Sequence, residues 1–173
     1  VSGRPADELS ELFDIIGTLA ENIGNFRDWK IKHVGADEVL PPALLDRLIA
    51  VEAKTARNTG LHVNLAIGYG GRAEIADAVR SIIAEHKATG GTIDDLAEKL
   101  SPKLIGDHLY TGGLPDPDLV IRTSGEQRLS DFMLWQSAHS EFYFVEALYP
   151  DLRQVDFLRA MRDYTRRERR FGS

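Results

Sequence analysis

Apolar positions along the chain fall into two repeating patterns, helical stripes and short branched runs, and the two alternate. Leu9, Leu12, Phe13, Ile16, Leu19, Ala20 and Ile23 recur at three- and four-residue spacing, the stripe of an amphipathic helix. This predicts a helix opening at Arg4-Pro5, with Asp7 and Glu8 in the first turn where the helix dipole favours acids, and running to about Asn25. Lys30–Val34 reads as a strand closed by Gly35. Pro41-Pro42 opens a second helix with Leu44, Leu45, Leu48, Ile49 and Ala53 on one side, and Asn58-Thr59-Gly60 stops it. Leu61–Ile67 alternates as a strand does, and Gly68-Tyr69-Gly70-Gly71 leads into a helix from near Arg72 to about Lys87. Two short helices are predicted over Ile93–Leu100 and Pro102–Leu109, then a stiff connection over Gly112–Pro117. Leu119-Val120-Ile121 has the length and branching of a buried strand, and a last helix spans about Val155 to Arg169.

Strands alternating with helices predict an α/β protein with a mainly parallel sheet wrapped by helices. No internal repeat, low-complexity segment or linker interrupts the 173 residues, so a single domain is expected.

Composition narrows the partners. The chain carries 21 Lys and Arg against 27 Asp and Glu, a net charge of −6, which argues against a general nucleic-acid binder. It has no cysteine, which excludes disulfides and thiolate metal sites. No apolar run reaches the roughly 18 residues of a spanning helix. The start at Val1 reads as internal, and a soluble cytoplasmic protein is the expectation.

The chemistry concentrates between Asp118 and Phe144. Arg122 ends the apolar run, Thr123-Ser124-Gly125 turns the chain, and Arg128 and Ser130 follow before an apolar segment that carries one acid, Glu141. Ligands of open α/β sheets sit outside the carboxyl ends of strands. Guanidinium forks match phosphate oxygens, and a carboxylate can hold the divalent cation that accompanies a diphosphate. The local reading is a diphosphate site with Mg²⁺. The glycines at 68, 70 and 71 add a strand–turn–helix arrangement that suits either an anion or tight packing.

These residues also carry a resemblance. Asp118–Glu126, with Arg128, Ser130, Phe132, Trp135-Gln136, Glu141 and Tyr143-Phe144, resembles the signature of the cis-prenyltransferases, the undecaprenyl diphosphate synthase family. Val63-Asn64, Gly68–Arg72, Arg4-Pro5 and the terminal Arg170-Phe171-Gly172 extend the likeness over nearly the whole chain. The resemblance implies a six-stranded central sheet and a homodimer. It implies condensation of isopentenyl diphosphate with an allylic prenyl diphosphate to give a Z double bond. Arg122, Arg128 and Ser130 would hold the isopentenyl diphosphate, with Arg170 reaching in from the neighbouring subunit. Arg4 would contact the allylic diphosphate, and Glu141 would bind Mg²⁺. The lipid-like product implies transient contact with a membrane surface. Family members begin with a strand and an Asp-bearing diphosphate loop that this chain does not contain, so it is expected to be the C-terminal portion of an enzyme. The family's product tunnel is then expected to be lined largely by segments outside the chain. Non-catalytic partner subunits of the family form the alternative.

Other roles stay open for several of these residues. Arg122 and Arg128 are near Asp118, Glu126 and Asp131 and suit ion pairs as well as a phosphate. Ser130 suits a helix cap. Glu141, if not a metal ligand, needs a partner such as an arginine of the last helix. Gln127 stands where many relatives have histidine and cannot carry a proton, His139 reads as a packing or surface residue, and the basic tail from Arg159 reads mostly as a solvated face.

Overall fold

A computed structural model of the chain describes residues 6–26 and 28–167. Its elements are α1 (Ala6–Ile23), β1 (Lys30–Val34), α2 (Pro42–Thr55), β2 (His62–Ala66) and α3 (Gly71–Ala88). There follow α4 (Ile93–Lys99), α5 (Pro102–Asp107), β3 (Leu119–Arg122), β4 (Glu141–Phe144) and α6 (Gln154–Arg166). They form two compact units, Val1–Glu74 and Ile75–Ser173, the division falling inside α3.

In the first unit the stripe on α1 meets α2 as the spacing predicts. Ala20, Leu40, Leu44 and Leu48 are buried together, with Phe13, Ile16, Leu45, Leu65 and Ile67 packed on them. Each large side chain taken from water here contributes about 1.5–3 kcal/mol. β1 and β2 pair in parallel from Lys30↔His62 to Val34↔Ala66. Thr55 closes α2 against β1: its hydroxyl accepts from the Ile31 N–H at 3.0 Å and donates to the Val51 carbonyl at 2.9 Å. Arg47 clamps α2 to α1 through Glu21, donating from Nε to Oε1 at 2.7 Å and from Nη2 to Oε2 at 3.1 Å. Gly17 makes room for it, since a Cβ there would stand 2.4 Å from the guanidinium carbon. At the end of β1, Gly35 has φ +154° and lies so close to the next strand that a Cβ would come within 2.1 Å of the Ile67 carbonyl oxygen.

In the second unit β3 and β4 are also parallel, Leu119↔Glu141 through Arg122↔Phe144. Among its described residues Ala78, Ile82, Leu109, Val145 and Ala160 are apolar and buried. At the start of α6 the buried Asp156 accepts from the Arg153 backbone at 3.2 Å and from its Nε at 2.9 Å. That bond holds the Asp156 carboxyl below the usual carboxylate range.

The α/β class and the parallel pairing match the sequence reading, with helix and strand ends shifted by a few residues. β4 is not foreseen there: Phe142, Tyr143 and Phe144 favour a strand, but the run is only four residues long and does not alternate. The segment after Ser130 winds through turns and contains no α-helix, so Ser130 caps none. Among the described residues the strands form two parallel pairs rather than one six-stranded sheet. No helix among them is long and apolar enough to cross a membrane.

Candidate functional site

Parallel strands need a crossover of about a dozen residues or more, usually a helix. Between β3 and β4 that crossover is residues 123–140, and it is made of turns. Its start is pinned beyond β4: the N–H groups of Ser124 and Gly125 donate to the carbonyls of Ala147 and Val145 at 2.8 and 2.9 Å. Its far side is held by the Ser140 hydroxyl on the Pro117 carbonyl at 2.6 Å and by Gln136 Nε2 on the Thr111 hydroxyl at 2.8 Å. Ser124, Ser130, Asp131 and Met133 all have left-handed backbone, with φ of 78°, 49°, 66° and 46°. Non-glycine residues rarely persist in this region unless surrounding contacts hold them, and they concentrate at functional sites.

The crossover brings Arg122 and Arg128 onto one carboxylate, that of Glu126. Arg128 donates from Nε to Oε2 at 3.2 Å and from Nη2 to Oε1 at 2.7 Å. Arg122 donates from Nη2 to Oε2 of the same side chain and from Nη1 to the Arg128 carbonyl. Its Nε is buried with no hydrogen-bond partner among the described residues. The two cations differ in setting: the Arg122 side chain is 20 % exposed and Arg128 69 %. Gln127 and Ser130 lie exposed on the same loop. The two alternatives that the sequence leaves open for the arginines are therefore joined, since an ion pair with Glu126 occupies the same groups that suit a diphosphate.

Glu141 opens β4, and its Oε2 accepts from Arg167 Nη1 at 2.6 Å. Arg167 also donates from Nη2 to Asp163 at 2.7 Å, and these two bonds push its guanidinium pKa up. Arg167 directly follows α6 and is the kind of last-helix arginine that the sequence offers as the partner of Glu141, set apart from an otherwise basic tail. No cluster of three or more His, Cys, Asp or Glu suited to a metal occurs among the described residues. Mg²⁺ commonly takes one or two carboxylates and completes its shell with phosphate oxygens and water. A half-exposed Glu141 fits one such ligand, once Arg167 gives way. His139 is exposed. Arg4 and Arg170 lie outside the described residues.

The first unit holds a feature that the sequence reading does not anticipate. An apolar cavity of about 560 Å³ is lined by α1, the turn before α2, and β2, with Phe13, Ile16, Leu40, Leu65 and Ile67 among its walls. Gly68 and Tyr69 close one side. Beside it Tyr69 donates its hydroxyl to the fully buried Glu74 of α3. The apolar stripe on α1 is the signal for both core and cavity, and spacing alone does not separate them.

The prenyltransferase family model that describes undecaprenyl diphosphate synthase matches residues 2–172. Isoprenyl transferase 1 of Streptomyces avermitilis is 54 % identical over 170 residues, which cover 98 % of this chain and 66 % of that protein. The (2Z,6E)-farnesyl diphosphate synthase of Mycolicibacterium smegmatis is 52 % identical, over 98 % of this chain and 65 % of that one. The chain thus spans just under two thirds of the length of these curated relatives. Among solved structures, lavandulyl diphosphate synthase from Lavandula x intermedia, in complex with dimethylallyl diphosphate, superposes with a TM-score of 0.88 at 34 % identity. It covers 99 % of this chain and 74 % of its own. The crossover with its paired arginines, the parallel strands that carry it and the match across residues 2–172 agree: this chain belongs to the undecaprenyl diphosphate synthase family of prenyltransferases.

Proposed function

We propose that the protein is a cis-prenyltransferase that condenses isopentenyl diphosphate with an allylic prenyl diphosphate. The observation that carries this reading is the convergence of Arg122 and Arg128 on the single carboxylate of Glu126: one anion engages both guanidinium groups. A diphosphate offers the same bridge with more oxygens and more charge. In the reaction the carbon–oxygen bond of the allylic diphosphate breaks, the alkene of isopentenyl diphosphate forms the new carbon–carbon bond, and a proton leaves. Positioning and charge stabilisation supply most of the acceleration in such chemistry.

Arg122 and Arg128 hold the isopentenyl diphosphate and Ser130 adds its hydroxyl, with Arg170 of the neighbouring subunit and Arg4 on the allylic side as further contacts. Glu141 supplies one oxygen ligand for Mg²⁺, which when bound neutralises diphosphate charge. The apolar cavity of the first unit suits a growing prenyl chain, because its walls are mostly aliphatic and aromatic side chains. A homodimer is in keeping with the large apolar side chains that the second unit leaves exposed, among them Leu148, Tyr149, Phe157 and Leu158. A cytoplasmic protein touching membranes through its product fits the described helices, none of which spans a bilayer.

The test supplies labelled isopentenyl diphosphate, an allylic diphosphate and Mg²⁺ to the protein expressed from its full reading frame. Expected are prenyl diphosphates with Z double bonds, and their loss in Arg128→Ala. A protein that binds neither substrate, or binds both without product, overturns the reading.

A further inference from the structure

We propose that Glu126 is an internal anion that occupies the arginine pair until a diphosphate displaces it, and that it thereby sets the preference of the site for diphosphate over monophosphate. The inference rests on the reading of Arg122 and Arg128 as a diphosphate site.

The N–H groups that an incoming anion needs are already engaged. Arg128 commits Nε and Nη2, the parallel edge that grips carboxylates and phosphates, to the two oxygens of Glu126. Arg122 commits Nη2 to Glu126 and Nη1 to the Arg128 carbonyl, and its Nε is buried. Glu126 therefore fills the place where a bound phosphoryl group would bridge the two cations. It sits two residues from Arg128 and four from Arg122, on a loop whose ends are tied to the segment just after β4 and to Pro117. Such a tether gives the carboxylate a high effective concentration at the cations.

A ligand must exchange with it. Monophosphate replaces the carboxylate nearly bond for bond and loses translational freedom that the tethered side chain never had. Its net gain is small. Diphosphate brings a second phosphoryl group, so each guanidinium can take a separate end and the added charge favours the exchange. The released carboxylate has somewhere to go, since the Glu126 side chain is already 42 % exposed. Small anions are thus screened out by competition rather than by shape.

The test is calorimetric titration with inorganic phosphate and inorganic diphosphate, without metal and at constant ionic strength, on wild type, Glu126→Gln, Glu126→Ala and Arg128→Ala. Both Glu126 variants are expected to bind phosphate more tightly than wild type by about tenfold or more, the scale of one competing charged hydrogen bond. The gain for diphosphate is expected to be smaller, so that the ratio of the two affinities falls. Two variants of different shape guard against a local distortion in either. Phosphate binding that is unchanged or weaker in both overturns the proposal and makes Glu126 a strut that orients the arginines. Phosphate binding absent from every variant overturns it as well. Equal diphosphate affinity in wild type and Arg128→Ala instead defeats the diphosphate reading, while the phosphate titrations still decide whether Glu126 screens the cations.

Discussion

Arg167 donates from Nη1 to Oε2 of Glu141 at 2.6 Å, so the residue that follows α6 is tied to the first residue of β4. A divalent cation at Glu141 competes with this guanidinium for the same carboxylate. Arg167→Gln is therefore expected to lower the Mg²⁺ concentration needed for half-maximal turnover, and to tighten Mn²⁺ binding measured by paramagnetic resonance without substrate. Thermal stability should fall by about 0.2–1 kcal/mol, as for a partly exposed pair. Unchanged Mn²⁺ affinity would remove Glu141 from the metal site.

Alanine at Arg122 or Arg128 should each weaken isopentenyl diphosphate binding by about 1.5–3 kcal/mol, the range for hydrogen bonds to charged groups. Lysine should rescue only in part, because the fork is lost. Both arginines share Glu126, so the double variant should depart from additivity. Equal effects that sum simply, measured by titration, would mean that the two do not act on one anion.

The cavity of the first unit gives a prediction on product length. Ile16 lines it from α1. Ile16→Trp adds bulk there and leaves less of the cavity open to a prenyl chain. The expected result is a product distribution shifted to shorter chains with isopentenyl diphosphate affinity unchanged, read by mass spectrometry. Chains of wild-type length would place the prenyl group elsewhere.

Most of this fold was legible because its signals are local. Pro41-Pro42 and the Leu44–Leu48 face define α2, and the alternation of Leu61–Ile67 defines β2. β4 was not legible, since four residues without alternation are too short a signal even with three strand-favouring aromatics, and the pairing with Leu119–Arg122 is what sets its bounds. The candidate site divides in the same way. Arg122, Arg128 and Glu141 stand out by residue type, and an arginine near the last helix is open to Glu141 from the start, whereas the bridging of both arginines by Glu126 depends on how a turn-rich crossover folds. Spacing of four residues looks like a helical pair, yet Arg122 and Glu126 meet across a loop.

His108 gives a pH signature in the second unit. Its Nε2 faces Glu85 Oε2 at 3.1 Å and its Nδ1 the Leu104 carbonyl at 2.9 Å, so both ring nitrogens have acceptors. These bonds, the Glu85 one first, raise the His108 pKa above its ordinary value. A raised folded-state pKa stabilises the protein fully below the unfolded value of about 6.5, and that contribution is lost as pH climbs through the folded value. The melting-temperature advantage of wild type over Glu85→Gln should therefore be largest near pH 6 and shrink by about pH 9. An advantage that grows with pH would contradict the pairing.

Gly35 predicts a local loss of stability. Its φ of +154° and the 2.1 Å approach of a Cβ to the Ile67 carbonyl leave alanine no room against rigid backbone. Gly35→Ala should destabilise by about 2 kcal/mol or more in chemical denaturation. A neutral result would mean that β1 and β2 can separate at this end without cost.

The left-handed backbone at Ser124, Ser130, Asp131 and Met133 has a consequence for anyone who engineers this protein. Each such residue costs roughly 1–3 kcal/mol relative to a relaxed conformation, so the crossover is a concentrated reserve of unrealised thermostability. Glycine at Met133 would release part of that reserve at once. It would also soften the frame that keeps two arginines on one carboxylate. Selection for heat resistance and selection for turnover should then pull this one loop in opposite directions, and variants that win one contest at Met133 are the ones to screen for loss in the other.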